Sequence, residues 1–238
     1  MKFSSKRAIV LGGSSGIGLA TAQALLDEGA EVIIGGRDAA RLRDAAAQLG
    51  ERCITESIDV LDVAALGELF ERHSSANILV NAATGGERAV GPFKDMSLAG
   101  FQGSFRKLWG YTNSVHAALP HLAEDAAIVL VGGAPARKCP PGYSAISTVG
   151  NAVEGFCRAI AVEIAPRRIN VVAPGVIDTP MFPVQGEDRQ KFLAGATSNY
   201  LINRPGRAEE VADAVLFTLG NGFVTGTTID VEGGSLLP

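Results

Sequence analysis

Short apolar runs alternate with longer stretches whose apolar residues recur every three or four positions, from one end of the chain to the other. The runs at 8–11, 31–35, 53–58, 77–81, 126–131, 169–173 and 227–231 predict seven strands. Between them the helical spacing predicts a helix ending near Glu28 and another over 38–49, with Gly50 placed as its C-cap. A third runs from an N-cap at Asp62 to His73, and two long ones cover 98–122 (ending at Pro120 or just after) and 144–165. Residues 84–97 read as a loop rich in glycine and charge. The strands are continuous apolar runs rather than strict alternations, as expected where helices cover both faces of a sheet. Strands alternating with helices predict an α/β fold with a doubly wound parallel sheet of about seven strands. No linker, repeat or low-complexity segment divides residues 1–238, so one domain is expected.

In such sheets ligands bind beyond the carboxyl ends of the strands, near the topological switch point. That rule brings 12–18, 35–38, Asp59, 81–86, 132–141 and 174–179 around one crevice. The first of these, Gly12-Gly13-Ser14-Ser15-Gly16-Ile17-Gly18, follows a strand and opens a helix. Glycines there permit a tight turn and close backbone approach. The helix start offers free N–H groups and a partial positive charge, so the stretch predicts a phosphate cradle.

Composition narrows the partners. A formal net charge of −4 argues against non-specific nucleic-acid binding. No apolar run approaches the roughly 20 residues a membrane helix needs. The N-terminal residues, Met1 to Arg7, lead into a strand rather than an apolar signal segment, and a cytoplasmic location is expected. Cys53, Cys139 and Cys157 lack metal-ligand spacing, so no metal site is expected and the thiols read as incidental.

The glycine spacing, in this strand-to-helix setting, resembles the short-chain dehydrogenase/reductase family, and the resemblance extends over nearly the whole chain. Asp59-Val60 is similar to the family's adenine-side pair, and Leu79-Val80-Asn81-Ala82-Ala83 resembles its Asn-Asn-Ala-Gly segment, with Ala82 and Thr84 departing from it. Pro174-Gly175-Val176-Ile177-Asp178-Thr179 is similar to the element that clasps the nicotinamide end. Arg204-Pro205-Gly206 with 209–212, and 224–226 through Gly234, resemble the C-terminal signature. The resemblance implies a Rossmann-type fold with a nicotinamide dinucleotide held by Gly12, Ser14, Ser15, Gly16, Ile17, Gly18, Asp59, Val60, Asn81, Ala82, Pro174, Gly175, Ile177 and Thr179. At the end of the second strand a carboxylate would favour NAD by holding the ribose 2′-OH. Here stands Gly35-Gly36-Arg37, and an arginine offers a bidentate fork to a 2′-phosphate. The expected cofactor is therefore NADP(H), with Asp38 serving as a helix N-cap.

The same resemblance implies a catalytic Tyr, a Lys four residues on, a Ser thirteen residues before the Tyr, and an Asn on the preceding helix. Tyr143 suggests itself first, but four residues on stands Ser147. Matching 152–163 to the family's helix without a gap puts Gly150 at the Lys position, Ile146 at the Tyr position and Gly133 at the Ser position. Lys107 falls at the Asn position. All four depart, and the chain resembles a divergent branch that keeps the nucleotide site without the usual catalytic groups. Candidate substitutes are Lys107, whose ammonium can polarise a substrate oxygen, and Tyr143, one turn before the Tyr position. Lys138, Cys139, Asn113, His116, His121, Tyr111 and Trp109 read as lining, packing or surface residues.

Residues 181–203, carrying Phe182, Phe192 and Tyr200, are similar to the family's variable substrate loop and imply a partly apolar small-molecule substrate. The helices 98–122 and 144–165 resemble those of the family's subunit interfaces, implying a homodimer or homotetramer. The function expected is an atypical NADP(H)-dependent oxidoreductase acting on a carbonyl-type substrate. The alternatives are an NADP-binding sensor without redox turnover, and a non-redox isomerase or cyclase that uses NADP structurally.

Overall fold

The apolar runs become the strands of one seven-stranded, wholly parallel sheet in the order β3-β2-β1-β4-β5-β6-β7. The strands are β1 (Arg7–Leu11), β2 (Glu31–Gly36), β3 (Cys53–Ser57), β4 (Ala76–Asn81), β5 (Leu122–Val131), β6 (Arg168–Pro174) and β7 (Thr228–Val231). The computed structural model describes residues 1–84 and 88–237. The order of strand addition reverses between β1 and β4 while all strands stay parallel, and the crevice opens at that switch point.

Period-two alternation within each strand sends neighbouring side chains to opposite faces. Ile9, Leu11, Leu79, Ile128, Leu130, Ile169 and Val171 point one way, and are covered by α3 (Val63–Arg72), α5 (Arg106–Ala118) and α6 (Ser144–Glu163). Ala8, Val10, Val32, Ile34, Val80, Val129 and Val172 point the other way. They meet α1 (Gly16–Asp27), α2 (Ala39–Leu49) and α8 (Ala208–Gly220). The helix ends follow local chemistry. Asp38 caps α2 by accepting from the Ala40 and Arg41 amides, Gly50 closes it with φ +83°, and Asp62 caps α3 through the Ala65 amide. Helix α8 escaped the apolar pattern, although Val211, Val215 and Leu219 stand at helical spacing and Glu210 accepts the Arg207 amide at 2.8 Å.

The continuous helix expected over 98–122 is broken. Helix α4 (Leu98–Ser104) and α5 meet at Phe105 (φ −70°, ψ −11°), a 3₁₀ turn follows at Leu119–His121, and β5 already starts at Leu122. Gly100 and Gly103 weaken α4. Ser104 Oγ donates back to the Gly100 carbonyl (3.1 Å) and accepts the Ala89 amide (3.0 Å), while the Phe105 amide makes a tighter bond to Gln102. The break separates a short helix under the 88–97 loop from the buried one that carries Lys107. Within the expected substrate loop, α7 (Gly186–Ala196) forms a further helix. The result is a single-domain α/β Rossmann-like fold with helices on both faces of its sheet.

Candidate functional site

The glycine loop is shaped by contacts no side chain would permit. A Cβ on Gly12 (φ +81°) would stand 2.6 Å from the Ala83 nitrogen, and one on Gly18 would overlap the Gly12 carbonyl oxygen. Gly16 (φ +54°) faces Thr179, whose Cβ would lie 3.2 Å from an added methyl. The Gly12 amide donates to the Gly35 carbonyl at 2.7 Å, and the Ala82 amide to Leu11 at 2.8 Å. The loop is thus stitched to the ends of β2 and β4 and lies under the 174–179 segment. Ser15, the N-cap of α1, has extended backbone and makes no side-chain cap bond, so the first N–H groups of the helix stay available to an anion.

The other expected nucleotide residues converge on the same crevice. Ser14 Oγ would lie 3.3 Å from a Cβ on Gly36, beside exposed Arg37, which has no ion-pair partner among the described residues. Ile17 continues α1, with its carbonyl accepting from Thr21. Asp59 accepts the Leu61 amide at 3.0 Å. Val60 is held by α5, where Gly110 packs against its side chain and Asn113 donates to its carbonyl at 3.3 Å. Asn81 is fully buried, and its Nδ2 has no partner among the described residues at the end of β4. Gly85 and Gly86, expected in the crevice, lie outside the described residues.

The 174–179 segment is tied on both sides. The Gly175 amide donates to Val231 and the Asp178 amide to Gly206, while Ile177 and Thr179 are buried. Two residues of the substrate loop clamp it, of which the sequence singled out only Tyr200. Arg189 on α7 donates to the Asp178 carboxylate, to the Thr179 carbonyl (2.8 Å) and to the Phe182 carbonyl (2.6 Å). The Tyr200 hydroxyl accepts the Val176 amide at 3.1 Å.

Lys107, Gly133, Ile146 and Gly150, the four positions singled out by the register, lie on α5, just past the end of β5 and on α6. Lys107 is half-buried on α5, and its Nζ donates to the Gly132 carbonyl at 3.1 Å, at the carboxyl end of β5. The Nζ also lies 5.5 Å from the Tyr111 ring centroid. Burial, and secondarily the charge of Arg88, pull its pKa down to about 7. Gly133 is extended, and a Cβ there would make only an ordinary 3.5 Å contact with Pro135, so a serine would fit. Gly150 is different. A Cβ would stand 2.9 Å from the Ala136 Cβ, and the neighbouring Asn151 side chain donates through Nδ2 to the Ala136 carbonyl at 2.6 Å. The 3₁₀ turn Ala134–Ala136 has moved into the space a side chain at 150 would need. Ile146 is partly exposed on the first turn of α6.

Tyr143 is the N-cap residue of α6 and makes no side-chain cap bond. Arg88 Nη1 lies 2.9 Å from Met181 Sδ. Beyond Arg88 the loop packs on α4, where the Ala89 amide donates to Ser104 Oγ, and the Gly91 amide donates to the Gly142 carbonyl. Tyr111 is fully buried with its hydroxyl on the Val131 carbonyl, and Lys138 reaches the Leu237 carbonyl. Both are structural. Cys139 and Trp109 are exposed.

The family model described as enoyl-(acyl carrier protein) reductase matches residues 12–235. The chain is 31% identical to dehydrogenase/reductase SDR family member 4 of Caenorhabditis elegans, over 98% of this chain and 96% of that protein. The chain belongs to the short-chain dehydrogenase/reductase family. This family uses a nicotinamide cofactor, and a small-chain dehydrogenase solved in complex with NADPH superposes with a TM-score of 0.83 at 27% identity, over 98% of this chain and 99% of that one. An apo short-chain oxidoreductase from Pseudomonas aeruginosa PAO1, described as containing an atypical catalytic center, superposes with a TM-score of 0.86. It is 32% identical, over 98% of this chain and 97% of that chain. Membership in the short-chain family accounts for the Rossmann-like sheet and its glycine turn.

Proposed function

We propose that this protein is an NADP(H)-dependent short-chain oxidoreductase of a divergent branch, in which Lys107, assisted by Tyr143, stands in for the missing Ser, Tyr and Lys. The observation that carries the reading is the Lys107 ammonium at the end of β5, beside a Gly133 that has no hydroxyl. The crevice suits the dinucleotide. The glycine cradle admits a close backbone approach, the α1 N-terminus is open to phosphate, and Asn81 Nδ2 awaits an acceptor. Arg37 and Ser14 would hold a 2′-phosphate, Asp59 and Val60 the adenine side, and Ile177 and Thr179 the nicotinamide end. When bound, the reduced nicotinamide supplies the hydride. Lys107 uses one N–H on Gly132 and keeps others for a substrate carbonyl oxygen, to which it donates the proton that the family's tyrosine would give. Arg189 and Tyr200 fix the clasp and the substrate loop as one piece, which excludes water from the crevice.

The filled space at Gly150 supports a second reading: a nucleotide-dependent sensor, or an isomerase or cyclase that uses NADP structurally. Consumption of NADPH with a panel of carbonyl, enone and imine substrates separates them. Turnover that collapses in Lys107→Met carries the first reading; micromolar NADPH binding without turnover across the panel overturns it. A homodimer or homotetramer through α4–α5 and α6, and a cytoplasmic location, belong to the same proposal.

A further inference from the structure

Residues 175–185, between β6 and α7, belong to no helix or strand, so individual bonds set their shape. The second half of this segment is wound around one guanidinium. Arg189, early in α7, makes five hydrogen bonds, as many as it has N–H donors. Its Nε donates to the Asp178 carboxylate at 3.0 Å, and Nη2 reaches the same oxygen. Nη2 also donates to the Thr179 carbonyl at 2.8 Å, and Nη1 to the carbonyls of Phe182 (2.6 Å) and Val184 (3.2 Å). A planar fork can hold acceptors on four residues in fixed directions, which the single ammonium of a lysine cannot. Phe192, also on α7, packs on Phe182 with ring centroids 5.2 Å apart. Thr179 carries the arrangement into the crevice: it is buried, and its Cβ would lie 3.2 Å from a methyl on Gly16 of the glycine turn. Helix α7, the 178–184 turn and the glycine turn therefore touch in succession, and Arg189 is the link between the first two.

We propose that Arg189 is a positioning residue for the nicotinamide half of the cofactor. It holds Thr179 against the glycine turn, so that docking of α7 and binding of the nicotinamide ring are coupled. Arg189 acts through Thr179 and not by touching the cofactor itself. This rests on the reading that 174–179 takes the nicotinamide end, and is independent of the chemistry assigned to Lys107. Coupling of this kind is reciprocal: if the docked helix improves binding of the ring, the ring must stabilise the docked helix by the same factor. The groups assigned to the adenine and phosphates, on α1, at Arg37 and at Asp59, make no bond to Arg189. A nucleotide without the nicotinamide ring should therefore be indifferent to it.

The test compares NADPH with 2′-phospho-ADP-ribose, the same dinucleotide without its nicotinamide ring, by calorimetry on the full chain. The wild-type protein is expected to bind NADPH more tightly than the fragment. NADPH should also slow amide hydrogen exchange across α7, and the fragment should not. Arg189→Met should weaken NADPH binding about tenfold, the scale of a lost charge-assisted hydrogen bond, and change fragment binding by less than about twofold. The slowing of exchange across α7 by NADPH should disappear with it. Arg189→Lys keeps the charge beside Asp178 but cannot span the three carbonyls, so it should fall between the two, and it carries the test if the Met variant does not fold. Equal weakening of both ligands marks a purely structural role and overturns the proposal. A wild-type gap between NADPH and fragment that survives both substitutions also overturns it, while leaving the nicotinamide reading of 174–179 standing. A wild-type protein that binds the two ligands equally overturns that reading and the proposal with it.

Discussion

Lys107 illustrates how a single half-buried amine changes the pH behaviour of a protein. Burial holds its pKa near 7 rather than 10.5. As proton donor it must be charged, so the reductive rate is expected to fall as pH rises through about 7 with the slope of one proton. Lys107→Met should remove that step and lower kcat by roughly 10²–10⁴. The same shift enters stability. Between about 7 and 10.5 the unfolded chain holds the proton and the folded chain does not, so stability rises with pH across that window and is flat below it. Urea unfolding between neutral and alkaline pH should show the rise in the wild type and not in Lys107→Met. In the proposed site Arg37 is the group that holds a 2′-phosphate. Arg37→Ala is expected to weaken NADPH binding about tenfold or more while leaving NADH binding nearly unchanged, as loss of a charge-assisted hydrogen bond requires. Fluorescence titration with both cofactors checks it.

At the scale of elements, two glycines give opposite forecasts. Gly133→Ser meets only an ordinary contact, whereas Gly150→Lys pushes its Cβ into Ala136. Gly133→Ser should leave the melting temperature nearly unchanged, and Gly150→Lys should cost about 1–3 kcal/mol, the scale of overpacking. Restoring Ser, Tyr and Lys together would therefore not rebuild the family's usual site unless the Ala134–Ala136 turn withdrew. In the cofactor loop, Gly18→Ala drives a methyl onto the Gly12 carbonyl. The β1–α1 turn has no slack to absorb it, and NADPH binding should be lost with a lowered melting temperature.

On the scale of the whole molecule, the parallel sheet buries both faces and leaves apolar side chains outside on the helices that flank the site. Trp109 on α5 is 56% exposed and Val162 on α6 is 82% exposed. Exposed large apolar groups on adjacent helices suit a subunit contact. Light scattering is expected to give a dimer or tetramer, and Trp109→Glu with Val162→Glu should drive it to monomer.

The sheet was legible because its strands are apolar runs bounded by turn residues, and because Asp38, Gly50 and Asp62 end their helices by local chemistry. The cofactor cradle was legible for the same reason: glycine spacing is a demand of backbone geometry that the chain must state in its letters. What stayed hidden depends on residues far apart. The break at Phe105 arises from a bond between Ser104 and Ala89. The closing of the Gly150 space depends on where the Ala134–Ala136 turn falls, and the setting of Lys107 on the end of β5 reaching α5. By itself the sequence determined the sheet and the tight glycine turn after its first strand, because both are demands of local pattern and backbone geometry. Only the tertiary structure decided what surrounds Lys107, because its bond to the Gly132 carbonyl and its place over the Tyr111 ring are properties of packing and not of spacing.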